Sequence, residues 1–148
     1  MRRRQLLGVA AGTAVGVSAV AGCSLFDDDQ DPAPEPDALQ PLLDEAIRLA
    51  AGYDRAIAAD PSLRDRLSPL ADDHRAHVTE LSALIGVTAP STAASAPPGG
   101  AQSLAALRKA EQTAQKTAVT ACGQAPADRA ALVGSIAAAR AAHAEVLR

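Results

Sequence analysis

Apolar residues recur every three or four positions over four stretches between residues 38 and 148, divided by turn-forming residues. In the first stretch Leu39, Leu43, Ala46, Ala50, Tyr53 and Ile57 share one helical face, widened by Leu42, Leu49 and Ala56. Asp37 or Gln40 is expected to cap this helix, with Pro41 tolerated in its first turn. The helix should end near Ala59, because Asp60-Pro61 reads as an N-cap followed by the first position of a second helix. The second stripe is Leu63, Leu67, Leu70, His74, His77, Leu81 and Leu84. It stays in phase across Pro69, so a kink is preferred to a break with a restart at Ser68, and Gly86 stops the helix. A third helix carries Leu104, Leu107, Glu111, Ala114, Ala118 and Ala121 on one face and is expected to end at Gly123. Pro126 opens the fourth, with the stripe Leu132, Ile136, Ala139, His143 and Val146. Gly134 there suggests a close backbone approach.

The connections run short, long, short. Residues 87–100 are uncharged and rich in Pro, Ser, Thr, Ala and Gly. Fourteen extended residues reach at most about 45 Å, and a 22-residue helix spans about 33 Å. The long connection can therefore cross a bundle and let the second and third helices run parallel. The expected fold is an all-α, ferritin-like four-helix bundle with one long crossover loop; a simple up-and-down bundle is the alternative.

Composition agrees with helices. Tyr53 and Phe26 are the only aromatic residues, there is no Trp, and alanine and leucine fill the apolar quota. Such a core suits close-packed helices and does not suit a sheet. The charges divide the chain more sharply than the net value of -3 does. Of 14 basic residues, three are Arg2, Arg3 and Arg4. Of 17 acidic residues, six (Asp27, Asp28, Asp29, Asp31, Glu35 and Asp37) precede the first helix. The remainder, from residue 38 on, is balanced. With neither a basic patch nor interleaved aromatic residues, no nucleic-acid partner is expected.

The first 37 residues read as an address and a tether. The 17 residues from Leu6 to Gly22 carry no charge, are rich in Gly, Ala, Val and Ser, and follow the arginines. They are too short and too weakly apolar for a membrane-spanning helix, and fit a cleaved signal over residues 1–22. Arg3-Arg4-Gln5-Leu6-Leu7 resembles the core of a twin-arginine export signal, with Sec export the alternative. Val20-Ala21-Gly22-Cys23 looks like a bacterial lipobox, in which Cys23 takes the lipid. Residues 23–37, acidic and punctuated by Pro32, Pro34 and Pro36, read as an extended spacer. Its like charges would hold the domain, residues 38–148, off an anionic membrane surface. The expected localisation is the outer face of the cytoplasmic membrane, with the membrane as partner through Cys23. An envelope protein or a second copy is the further possible partner. Cys122 is then left without an intrachain partner and reads as a small buried hydrophobe.

The chain resembles the actinobacterial lipoproteins that carry a ferritin-like domain of unknown function. The resemblance rests on Ala21-Gly22-Cys23 and on three phrases of the second helix: Asp60-Pro61-Ser62-Leu63, Leu67-Ser68-Pro69-Leu70 and His74-Arg75-Ala76-His77. It implies a ferritin-like fold outside the membrane and no particular activity.

Ferritin-like iron sites use a Glu on each of two helices and Glu-x-x-His on the other two. Here Ala71 precedes His74 by three positions, His74 precedes His77, and Arg140, a cation, precedes His143. The standard di-iron site is absent. His74, His77, Glu111 and His143 nevertheless lie in apolar stripes, with Glu45 beside one, and polar groups facing a core need partners. The favoured expectation is that they bond to one another, to Asp73 or Glu80, or to water, with no metal and no cofactor. A mononuclear zinc-type site is the alternative. Estimated heights count against it: Glu111 and His74 fall near the middle of the bundle, His77 and Glu45 toward one end, and His143 toward the other. Haem between His74 and His143 is less favoured still, and methionine-rich copper(I) sites are excluded because Met1 is the only methionine. No Gly-x-Ser-x-Gly elbow, phosphate loop or Cys-His pairing is present. Asp72 and Asp73 point about 100° apart on a helix and form no catalytic dyad. A non-enzymatic binding or interaction role at the cell envelope is the expected function, with a metal-binding or redox protein as the alternative.

Overall fold

A computed structural model describes residues 35–89 and 102–148. The signal, Cys23, most of the tether and most of the long connection lie outside the described residues. Among those described, every regular element is helical: α1 (Gln40–Ala59), a single 3-10 turn (Pro61–Leu63) leading into α2 (Arg64–Ile85), α3 (Leu104–Gln124) and α4 (Ala127–Val146). None of these helices is long and apolar enough to cross a membrane.

The helix boundaries follow local chemistry, with three departures from expectation. Neither Asp37 nor Gln40 caps α1 through its side chain. Asp37 instead turns the chain just ahead of the helix, its carboxylate accepting from the Leu39 N–H at 2.9 Å while its carbonyl accepts from Gln40. The same carboxylate pairs with Arg129 at 2.7 Å, fastening the start of α1 to the start of α4. Asp60 does cap, accepting from the Ser62 N–H at 3.0 Å, and α2 then runs through Pro69 without interruption. Asp60→Ala is therefore expected to lower unfolding stability by about 1 kcal/mol, read as a shift of the urea midpoint at unchanged slope. Gly86, at a φ of 72°, ends α2 in the left-handed region where a side chain would be strained. The second departure is at Gly123, which does not stop α3. The helix continues to Gln124 and ends because Ala125, preceding Pro126, is forced into extended backbone. Third, a Cβ on Gly134 would meet only the Cys122 Sγ at 3.5 Å, an ordinary contact with a side chain rather than a backbone. Cys122 itself is half-buried at the edge of the core, its Sγ near the Ala130 carbonyl.

Two apolar clusters fix the topology. One gathers Leu39, just ahead of α1, and Leu43 and Ala46 from α1 with Leu81 from the end of α2, Ala118 from the second half of α3, and Val133 and Ile136 from the start of α4. The other gathers Ile57, Leu67, Leu70 and Leu107 with Leu147. The end of α1, the starts of α2 and α3 and the end of α4 thus share one end of the bundle. Helices α1 and α4 run one way, α2 and α3 the other, and residues 86–103 join opposite ends. Within the clusters each fully buried leucine contributes about 1.5–3 kcal/mol by leaving water.

The face of α4 differs from the expected stripe. Val133, Ile136, Ala137, Arg140, His143 and Ala144 are buried, while Val146 is 46% exposed and Leu147 takes its place in the core. The stripe is rotated because a fully buried arginine, Arg140, occupies part of it.

Candidate functional site

Between the two apolar clusters lies a layer of polar side chains drawn from all four helices. Tyr53 comes from α1, His74 from α2, Glu111 from α3, and Arg140 and His143 from α4; all five are buried. Glu111 and His143 stand at comparable distances on either side of the turn at Ala125-Pro126. The antiparallel pairing of α3 and α4 therefore brings them to one height. The expectation that His143 lies toward the opposite end from His77 is overturned by this register.

Three side chains converge closely. His74 Nε2 is 2.6 Å from Glu111 Oε1, His143 Nδ1 is 3.2 Å from the same oxygen, and the two ring nitrogens are 3.3 Å apart. Three donor atoms from three helices form a small triangle, all within 4.8 Å of one another. The Tyr53 hydroxyl donates to Glu111 Oε1 at 2.6 Å, and its ring stacks on that of His74 at 5.5 Å between centroids. On the far side of His143, Nε2 faces the Asp73 carboxylate at 3.1 Å, and Asp73 is 62% exposed. The other Glu111 oxygen, Oε2, and His74 Nδ1 are buried without a hydrogen-bond partner.

Two of the five residues singled out from the sequence stand apart. His77 is half-buried and meets His74 edge-on at 6.0 Å between ring centroids, with its own Nδ1 unbonded. Glu45 is committed elsewhere: its Oε2 accepts from Arg140 Nη1 at 2.8 Å. That guanidinium also donates to the Ala114 and Leu42 carbonyls, and its Nε lacks a partner. The fully buried cation thus has one carboxylate and two helix carbonyls around it.

The charge states follow from these neighbours. Burial alone would raise the Glu111 carboxyl, but the donors on His143, His74 and Tyr53 outweigh it and hold the group at about 2. Burial lowers His74 despite the adjacent carboxylate. Burial would lower His143 too, yet Glu111 on one nitrogen and Asp73 on the other raise it overall. Burial first, then the neighbouring His74 and Arg140, brings His77 down to about 4. Burial, then Glu111, pushes the Tyr53 hydroxyl far above its usual range. The group is therefore an anionic Glu111 beside a neutral His74 and an easily protonated His143, with Tyr53 a neutral donor.

The chain matches no known protein family, no curated protein and no solved structure. What the site does is therefore argued from its geometry.

A tetrahedral ion with bonds of 2.0–2.1 Å places its ligands about 3.3 Å apart. Two edges of the triangle, 3.2 and 3.3 Å, are at that spacing, and the third, 2.6 Å, is a hydrogen bond that a small outward shift would open. Two imidazole nitrogens and one carboxylate oxygen are a donor set for a borderline divalent ion such as zinc or copper(II). A carboxylate on the far nitrogen of a ligating imidazole is the common device for orienting it, and Asp73 is in that position. A dinuclear iron centre does not fit. Glu45, the one α1 carboxylate near the layer, is bonded to Arg140, and Ala71 and Arg140 stand where further carboxylates would be needed.

Proposed function

We propose that the chain is a membrane-anchored extracytoplasmic lipoprotein whose ferritin-like bundle holds a single transition-metal ion, without catalysing a reaction. The observation that carries the metal assignment is the convergence of His74, Glu111 and His143 at 2.6, 3.2 and 3.3 Å in a buried layer. His74 Nε2, His143 Nδ1 and a Glu111 oxygen would be the ligands. The ion would supply a Lewis-acidic charge to the layer. Glu111 and Asp73 supply two negative charges against a divalent cation, and Glu45 neutralises Arg140. The parallel α2 and α3, joined by one long connection, support the ferritin-like assignment. The lipobox at Cys23 and the acidic spacer after it support anchoring on the outer face of the cytoplasmic membrane, after Tat or Sec export.

A second reading is that the layer is a closed hydrogen-bond network. It is favoured by one detail: Glu111 Oε1 already accepts from Tyr53, with both histidines within bonding distance. Zinc titration of the full chain separates the two. The metal reading expects one ion per chain and a stability gain of about 2.7 kcal/mol at a free zinc concentration 100 times the dissociation constant. The network reading expects neither. Asp73→Asn is expected to weaken zinc binding about tenfold, because it loosens the orientation of His143 without removing a ligand. Competition with a chromophoric chelator measures this.

A further inference from the structure

The surface between α1 and α3 holds a groove of about 520 Å³ that meets the buried polar layer only at Glu45 and Ala114, the residues that bond Arg140. Its floor is apolar, formed by the buried Leu49, Gly52 and Leu107, and its rim carries the more exposed Arg48, Arg55, Lys109 and Ala110. At Gly52 the floor has no side chain: a Cβ there would come within 3.2 Å of the Leu107 side chain at Cδ2, so glycine leaves that space to Leu107.

The rim charges are unmatched. Among the described residues no carboxylate lies within salt-bridge distance of Arg48, Arg55 or Lys109. The single acidic residue of the lining, Glu45, is bonded to Arg140. Arg55 keeps Nε and Nη1 buried with no acceptor. A covered guanidinium lacking an acceptor is costly to maintain, and an oxyanion seated beside it would satisfy it through charge-assisted bonds. On the other two helices Arg75 pairs with Asp54 and Asp72, and Arg129 with Asp37, while Arg108 on α3 likewise keeps its Nε buried without a partner. A cationic rim over an apolar floor is complementary to one kind of molecule, an amphiphile with a carboxylate or phosphate head.

We infer that this groove binds a soluble amphiphilic anion, its head at Arg55 and Arg48 and its short apolar tail along Leu49, Gly52 and Leu107. The size of the groove favours a free ligand over a lipid surface: about 520 Å³ is in the range of small-molecule sites, about 300–1,000 Å³, whereas a bilayer presents a broad plane.

The test uses the full chain with Cys23→Ser, which removes any acyl group. Titration calorimetry with decanoate, and separately with decyl phosphate, is expected to give one site per chain. Arg55→Gln is expected to weaken that binding at least tenfold, and decanol, which lacks the charge, to bind at least tenfold more weakly than decanoate. Arg48→Gln provides a second readout at an exposed position should Arg55→Gln disturb folding, which circular dichroism reports. The inference is overturned if neither anion binds below millimolar concentration, if both arginine variants bind as well as the unsubstituted chain, or if the chain floats with phosphatidylglycerol vesicles while ignoring both free anions.

Discussion

Glu111→Gln is expected to raise the zinc dissociation constant by more than about 100-fold, beyond the 10- to 100-fold range typical of outer-shell changes. The substitution preserves shape but removes the only anionic donor of the triangle. It also places an amide where Tyr53, His74 and His143 all need an acceptor. His74→Ala is expected to lose the ion equally, since two remaining donors cannot hold it in a closed site. Proton competition adds a signature. Glu111 and Asp73 raise the pKa of His143, so at acidic pH its ring is doubly protonated. Zinc affinity is therefore expected to fall as pH is lowered through that raised range and to rise above it. Equilibrium dialysis at a series of pH values measures both effects. A dissociation constant within threefold of the unsubstituted protein for Glu111→Gln would remove the carboxylate from the site.

The largest stability effect is expected at Arg140. Its guanidinium is fully buried and bonded to Glu45, the Ala114 carbonyl and the Leu42 carbonyl, tying α4 to both α1 and α3. Arg140→Ala leaves Glu45 nearly buried without its partner and opens a cavity. Removing one member of a buried pair costs about 3–5 kcal/mol. Replacing both, as Glu45→Leu with Arg140→Met, removes the two charges together and is expected to recover most of that loss. Urea denaturation of the single and double variants measures the coupling. Equal and additive losses in both singles would show that the pair is not what holds these helices in register.

The sequence conveyed the helices well and the layer only in part. His74, Glu111 and His143 were legible as polar residues in apolar stripes, and the crossover connection as one able to span the bundle. Their convergence was not legible, because it depends on hairpin register. The estimate that put His143 at the wrong end ignored the near-symmetry of Glu111 and His143 about Ala125-Pro126, the one signal that would have revealed it. Tyr53 read as an ordinary core residue, since nothing local announces that its hydroxyl meets a carboxylate on another helix. Asp73 was legible as a bonding partner for the core histidines; it is exposed, yet one oxygen reaches inward to His143. Arg140 was taken only as a charge opposing a metal. A periodicity argument that counts apolar residues cannot see a buried cation whose partner, Glu45, lies far away in the chain. The face of α4 was misjudged for the same reason.

The central claim is that His74, Glu111 and His143 hold one metal ion. Elemental analysis of the full chain, purified without chelator and then re-titrated with zinc, iron and copper, tests it most directly. The account predicts about one tightly held ion per chain, absent from His74→Ala. No ion above background, before or after titration, would contradict it and leave the layer as a hydrogen-bonded network that only holds the helices together.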